Sequence, residues 1–455
     1  MGVGPRQVAI FLVVSLALFM SSVDGTIVAT GLPTIGRELR VPLNWTSWTI
    51  TAYQLGLIVA MPVAGRVSDR VGRKRVFLIA ALVFTAASLA CGLTSDIGLL
   101  ISLRVVQALG GGAFVPSATG IVSEAFGEWR DQALGLFSSI FPLGALVGPI
   151  LGGVILASWS WRGIFLVNVP VGVLFTLLGM RYLPRSAPTG GRTDVLGALL
   201  LGATVLGAML GITHAGDRGA SLLSAGTVGP ELIAVACGVA FYRRSARLED
   251  PIIPIALLRE RSFAAMNGIN FAFGACAIGF GALVPVFAQE RYGLSPLASG
   301  TLLTARAVGE IGVAAAASLL IRRTGYRLPM IIGFLLIAGG LAMIAIPPPS
   351  ASPYVWLAAG AALTGIGTGA SAPAANNATL HLSPDDVGAI SGLRGASRQS
   401  GAIIAVALAT AMVSRSPTPA ITLGHAFFAL AALLALMTPF VVIVPDRDRG
   451  IATVP

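Results

Sequence analysis

The stretch Gly65-Arg-Val-Ser-Asp-Arg-Val-Gly-Arg-Lys-Arg75 lies between two long apolar runs, Thr46–Ala64 and Val76–Thr94. It gathers five basic residues (Arg66, Arg70, Arg73, Lys74, Arg75) and one acid, Asp69, into a short connection. Basic residues beside membrane spans resist translocation, so a connection this basic is held on the cytoplasmic side. It therefore sets the orientation of every other span.

The rest of the chain supplies those spans. Of 455 residues, 55% are hydrophobic and only 11% charged, where a soluble domain carries about a quarter charged residues. The surplus is gathered in runs of about 18 to 28 residues, the length that crosses a ~30 Å hydrocarbon core. The net charge of +11 could suggest nucleic acid, but the basic residues sit in short connections between spans. Topology explains them, and no nucleic-acid partner is expected. Cys91, Cys237 and Cys276 stand singly in apolar runs with no pairing or metal spacing, and read as packing residues. The 56 glycines suit helices that approach closely in lipid. The apolar run that starts at Val8 continues to Leu32 and carries an acid, so it reads as a span and not as a cleaved leader.

Fourteen spans are predicted: Val8–Leu32, Thr46–Ala64, Val76–Thr94, Gly98–Ser123, Gln132–Ala157, Gly163–Leu183, Val195–Thr213, Leu222–Tyr242, Phe263–Ala288, Leu297–Ile321, Pro329–Ile346, Tyr354–Ala375, Val387–Val413 and Ile421–Val444. With both termini inside, and Arg181 at the cytoplasmic end of its span counted with that side, 20 of the 30 Lys/Arg fall in cytoplasmic segments and 6 in periplasmic ones. The other four, Arg104, Arg306, Arg394 and Arg398, fall within spans. The excess has the sign expected of a correctly oriented chain. Polar linkers at Pro184–Arg192 and Arg243–Arg261 divide the spans as six, two and six. The expected domains are residues 1–183, a six-helix bundle; 184–261, linkers and two inserted helices; 262–445, a second six-helix bundle; and 446–455, a cytoplasmic tail. A degenerate repeat supports this: Arg322-Arg-Thr-Gly-Tyr-Arg327 aligns Gly325 with Gly72, but has Arg322 where Asp69 stands.

The opening stretch resembles the G-x-x-x-D-R-x-G-R-[RK] signature of the major facilitator superfamily, with Gly65, Asp69, Arg70, Gly72, Arg73 and Lys74 in place. In the first span, Val23-Asp-Gly-Thr-Ile-Val-Ala-Thr-Gly-Leu-Pro33 is similar to the L-D-x-T-I-V-x-x-A-L-P motif of the drug/proton antiporters, with Gly31 in place of Ala. Arg104-Val-Val-Gln107 in the fourth span resembles R-x-x-Q-G-x-G-x-A, with Ala108 replacing the first Gly. Gly144-Ala-Leu-Val-Gly-Pro-Ile-Leu-Gly-Gly153 resembles the G-x-x-x-G-P-x-x-G-G motif of exporters. Trp159-Ser-Trp-Arg-Gly-Ile-Phe-Leu-Val-Asn-Val-Pro170 is similar to the W-R-W-x-F-x-I-N-x-P stretch of fourteen-helix antiporters; its aromatics read as an interfacial belt. Ser391–Gly401 resembles S-G-x-x-N-x-x-R-Q-x-G, with Arg398, Gln399 and Gly401 in place.

The resemblance implies an all-α polytopic membrane protein: two six-helix bundles about a pseudo-two-fold axis plus two inserted helices, rocking around a central site. It implies a proton-coupled exporter of hydrophobic or cationic compounds in the cell membrane, acting on small molecules and protons. The residues themselves point the same way. An ionisable group inside a span is a functional candidate by default. Asp24 and Arg104 enter their spans to nearly equal depth, ~12 Å and ~9 Å at 1.5 Å per residue. A nearby guanidinium favours the charged carboxylate while burial favours the neutral one, so the balance can tip either way. The alternative for Asp24 is a structural acid held by hydroxyls such as Thr26. In span ten, Arg306 and Glu310 are four apart and share a helix face. They are read either as a cavity-facing ionisable element or as an ion pair that neutralises itself.

The candidate residues are thus Asp24, Arg104 and Glu310 for proton coupling. Asp24, Gln107, Arg306, Glu310, Asn376 and Asn377 are expected in the substrate cavity. Gly65, Asp69, Arg70, Gly72, Arg73, Gly144, Gly148, Pro149, Gly152 and Gly153 are expected to act in switching. No cofactor or metal is expected, and the chain is read as a monomer. No nucleotide-binding loop is present, so an ion gradient must drive transport. With no Ser/His/Asp set, enzyme activity is not expected. Two other readings stay open: export of an endogenous metabolite, lipid or antibiotic, and a non-transporting sensor or scaffold. Glu231, inside span eight, has no assigned role.

Overall fold

A computed structural model describes residues 4–41, 43–185, 194–216, 223–248, 251, 253, 260–348, 352–382, 387–444 and 446. Every regular element among them is helical. This follows from the solvent: hydrocarbon offers no partner for backbone N–H and C=O, and a helix satisfies them within itself. Among the described residues, eleven helices are long and apolar enough to cross a membrane, or twelve when one bent pair is counted as a span. In that count the run Ile97–Ser158 is one span, although it contains separate helices, and Leu196–Ile212 is a shorter apolar helix.

The chain divides into two compact units, residues 1–194 with 383–396, and residues 195–382 with 397–455. The first contains α1 (Pro5–Leu39), α2 (Leu43–Val71), α3 (Arg73–Leu93), α4 (Ile97–Phe126), α5 (Arg130–Ser138), α6 (Ile140–Ser158), α7 (Gly163–Leu166) and α8 (Asn168–Tyr182). The second contains α9 (Val195–Gly216), α10 (Ala225–Ser245), α11 (Arg261–Phe273), a π-helical turn at Gly274–Ile278, and α12 (Gly279–Tyr292). It continues with α13 (Pro296–Thr324), α14 (Arg327–Ala345), α15 (Pro353–His381) and α17 (Pro419–Met437). Helix α16 (Val387–Arg415) belongs to the first unit through Ala396 and to the second beyond it.

Four of the described helices start where proline takes the first position and its missing N–H costs nothing: α1 at Pro5, α13 at Pro296, α15 at Pro353 and α17 at Pro419. Side chains close others: Asp96 accepts from the Leu99 N–H at 2.7 Å, and Ser295 from Ala298 at 3.2 Å.

Several elements differ from the sequence expectation. The basic connection is not a loop. Residues Gly65–Val71 continue α2, and α3 starts at Arg73, so Gly72 alone, at φ 106°, turns the chain. A positive φ is open to glycine and strained for other residues. The fifth span is interrupted at Ser139 and the sixth at Val167. The ninth is bent by 42°. Its π turn supplies a recognised cause of such a bend.

In the first unit α1 packs on α6, and α4 on α2 and α3. Phe114 of α4 meets Phe84 and Phe175 at ring centroids 5.5 and 5.7 Å apart, both edge-on. Gly144, Gly148 and Gly152 of α6, at intervals of four, face α1; a Cβ on Gly148 would stand 3.0 Å from the Val23 carbonyl. Gly153 does not share that face. It is exposed with nothing near its Cβ position, because one further residue turns it ~100° away. The glycine face therefore serves packing within the first unit. In the second unit α15 packs on α13 and α14, with Gly367 against Ile337 and Gly360 against Ile344. Helices α9 and α10 pair, and the Glu231 side chain lies against Gly211. Outward faces are apolar: Leu82, Val154, Ile233 and Leu319 are all more than half exposed, as lipid contact requires.

Candidate functional site

Asp24 sits inside α1 with no exposed surface, and so do Arg104 and Gln107 of α4 and Asn168 at the start of α8. Each comes from a span that is otherwise apolar, so each must find its partners among the others. They do. Arg104 Nη1 donates to Asp24 Oδ2 at 2.6 Å and to Gln107 Oε1 at 2.6 Å. Gln107 Nε2 donates to Asp24 Oδ1 at 2.9 Å and to Ser88 Oγ at 2.7 Å. Asn168 Nδ2 donates to Asp24 Oδ1 at 2.7 Å. Arg104 Nε reaches the Thr49 carbonyl at 3.1 Å, and its guanidinium lies 4.0 Å from the centroid of the Tyr53 ring.

The carboxylate thus accepts from three residues on two other helices. Two buried polar atoms, Arg104 Nη2 and Asn168 Oδ1, find no partner among the described residues. One is a donor and the other an acceptor, a pairing that suits a water or a polar substrate group. The Thr26 hydroxyl turns instead to its own helix, 3.1 Å from the Val23 carbonyl. The structural-acid alternative named Thr26 as the partner; the partners are Arg104, Gln107 and Asn168.

Sequence reasoning placed Asp24, Arg104 and Gln107, and missed Asn168, Tyr53 and Ser88. Asn168 lies in the Trp159–Pro170 stretch, where the aromatic residues drew the reading toward a membrane interface. Trp159 is 60% exposed, whereas Trp161 is fully buried with its Nε1 donating to Glu38 Oε2 at 2.9 Å and belongs to the interior. An amide inside an apolar span was the signal available.

A second constellation lies at the α2–α3 turn. Asp69 accepts from the N–H of Gly388 at 3.2 Å and of Ala389 at 2.9 Å. These are among the free donors of the first turn of α16, where helix dipoles favour a negative charge. Arg73 pairs with Asp69 at 3.3 Å and with Glu124 at 2.6 Å, and donates to the Gly120 carbonyl at 3.0 Å. Two glycines make the approach possible. A Cβ on Gly65 would run into the Gly388 carbonyl, and one on Gly388 would stand 2.7 Å from Asp69 Oδ1. Lys74 Nζ donates to the Met180 and Leu183 carbonyls, each at 2.8 Å. Arg70 is buried in the same region.

In the second unit, Arg306 and Glu310 form an ion pair at 3.0 Å within α13. Asn376 and Asn377 are buried in α15. Pro149 lies inside α6 without breaking it.

The model of the Major Facilitator Superfamily matches residues 14–345 and 266–453. The chain belongs to this family of membrane transporters, which move small molecules. It is 31% identical over 333 residues to the multidrug transporter protein MdtP of Bacillus subtilis, covering 72% of this chain and 61% of that one. The chain thus spans less than two thirds of that relative's length. It is also 31% identical over 404 residues to a multidrug resistance protein B homolog of Mycobacterium tuberculosis, covering 88% and 75% of the two chains. Among solved structures, that of the human organic anion transporter MFSD10 matches with a TM-score of 0.70 at 16% identity, over 96% of this chain and all of that one. That likeness concerns the fold.

Proposed function

We propose that this chain is a proton-coupled exporter of hydrophobic compounds that works by alternating access, with Asp24 as the proton carrier. The observation that carries this reading is the buried Asp24 carboxylate, held at 2.6 Å by Arg104 inside the membrane-spanning part of the first unit. A buried carboxylate is stable as an anion only while its donors stay in place; withdraw them and the neutral, protonated form is favoured. A conformational change that separates Asp24 from Arg104 therefore makes the site take up a proton, and its return expels one. The names of the multidrug relatives support efflux as the direction and drugs as the substrates.

The Asp69–α16 contact is proposed as the latch of one conformation, with Gly65, Arg70, Gly72 and Arg73 shaping it. Gly144, Gly148, Pro149 and Gly152 are assigned to the α1–α6 contact that such a motion must preserve. We further propose fourteen spans, both termini cytoplasmic, domains at 1–183, 184–261 and 262–445, and a monomer in the cell membrane.

The test is flux into inverted membrane vesicles across a panel of fluorescent hydrophobic compounds. Uptake that appears with an imposed inward-acid gradient and collapses with a protonophore supports the reading. Uptake indifferent to the gradient contradicts it.

A further inference from the structure

The second unit holds an imbalance of charge in mid-span. Arg306 and Glu310 pair at 3.0 Å on α13. Arg306 is also over Phe280, 5.8 Å from guanidinium carbon to ring centroid. Arg398, on the part of α16 that belongs to this unit, lies 4.6 Å from the centroid of Phe273. It is within electrostatic reach of both Glu310 and Arg306. Phe273 and Phe280 flank the π turn at Gly274–Ile278, so one locally widened helix carries the rings under both guanidinium groups. Such turns recur at functional sites.

Two guanidinium groups thus lie in the electrostatic neighbourhood of one carboxylate, which is paired with Arg306. Arginine stays charged in proteins, so the imbalance cannot be relieved by losing a proton. Cation–π contact offsets part of the cost, but a ring carries no counter-charge. The Nε atoms of both Arg306 and Arg398 are buried and lack a hydrogen-bond partner among the described residues. Donors and positive charge are therefore in excess at one place, and an acceptor with a negative charge is what would complete it.

We propose that Arg306 and Arg398 form the binding site for the anionic group of an amphiphilic substrate, a carboxylate above all, with the Phe273 and Phe280 rings taking its apolar part. The planar guanidinium fork matches a carboxylate. Glu310 holds Arg306 in position and keeps the site from binding anions so tightly that they cannot leave. This rests on the transporter reading and gives it a substrate class, one opposite in charge to the cations expected from sequence.

The test uses three probes that share one naphthalene skeleton and differ only in a carboxylate, a carboxamide or an ammonium group. Binding is measured by tryptophan fluorescence on the purified full chain in a non-ionic detergent. The proposal expects the carboxylate to bind about tenfold tighter than the amide, and the ammonium weakest. R306Q and R398Q should each remove that preference, and R398K should keep part of it. The probe series on the unaltered chain decides even where a variant misfolds: amide and carboxylate binding alike, or ammonium binding best, overturns the proposal. Displacement of the carboxylate by equimolar phosphatidylglycerol would assign the site to a lipid headgroup and likewise overturn the substrate role. No proton gradient enters the measurement, so its failure leaves proton-coupled export standing. A failure of gradient-driven flux would leave the binding preference standing in turn.

Discussion

Asp24 accepts from Arg104, Gln107 and Asn168 while buried completely. Removing one partner of a buried ion pair strands the other, a loss of about 3–5 kcal/mol. Arg104→Leu is therefore expected to lower the thermal stability of the detergent-solubilised protein sharply. Asp24→Leu combined with Arg104→Leu should recover much of it, because no buried charge is then left unpaired. That double variant should nevertheless fail to drive flux from a proton gradient. Recovered stability together with wild-type coupling would remove the pair from the mechanism. Asp24, Arg104 and Gln107 were legible in the sequence because each breaks an apolar span at a position a motif marks. Tyr53, Ser88 and Thr49 were not. A tyrosine, a serine or a backbone carbonyl inside a helix carries no signal until a partner on another helix is known to face it.

At the scale of the element, Gly72 turns α2 into α3 at φ 106°, and Asp69 ends its helix against the donors of α16. Asp69→Asn keeps a hydrogen-bond acceptor but loses the charge that the helix terminus and Arg73 favour. It should insert and express normally while transporting several-fold more slowly; unchanged transport would detach the contact from the cycle. Gly388→Val presses on the same carboxylate from the other side. The two changes together should thus cost little more than either alone, measured as initial rates in vesicles. In α6 the outcome depends on which glycine is altered. Gly148→Leu drives a side chain into Val23 and Thr26 and should destabilise the α1–α6 pair, whereas Gly153→Leu points away and should be tolerated. Melting curves of the two variants compare them directly. The sequence motif includes both glycines alike; only helical phase, 100° per residue, separates them.

At the scale of the whole molecule, the apolar runs, the small residues and the bias of Lys/Arg toward one side made a helical transporter readable before any coordinates. Helix boundaries were less readable. Gly65–Val71 is polar enough to pass for a loop, yet it stays helical because charged residues at a membrane surface need not leave the helix. The breaks at Ser139, at Val167 and at the π turn lie inside apolar runs that hydropathy scores as continuous. The charge pattern of the second unit was legible only in part. Arg306 and Glu310 stand in one helix, but Arg398 joins them from a segment some ninety residues on, through the fold.

Coupling through Asp24 is the claim on which the transport reading stands. Its most direct measurement is substrate-induced proton movement in proteoliposomes containing the full chain, recorded beside substrate flux, for the unaltered protein and for Asp24→Asn. The unaltered protein should move protons in a fixed ratio to substrate. Asp24→Asn should abolish the proton movement while substrate still exchanges at equal pH on both sides. Proton movement by Asp24→Asn at the unaltered ratio would contradict the role given to this carboxylate.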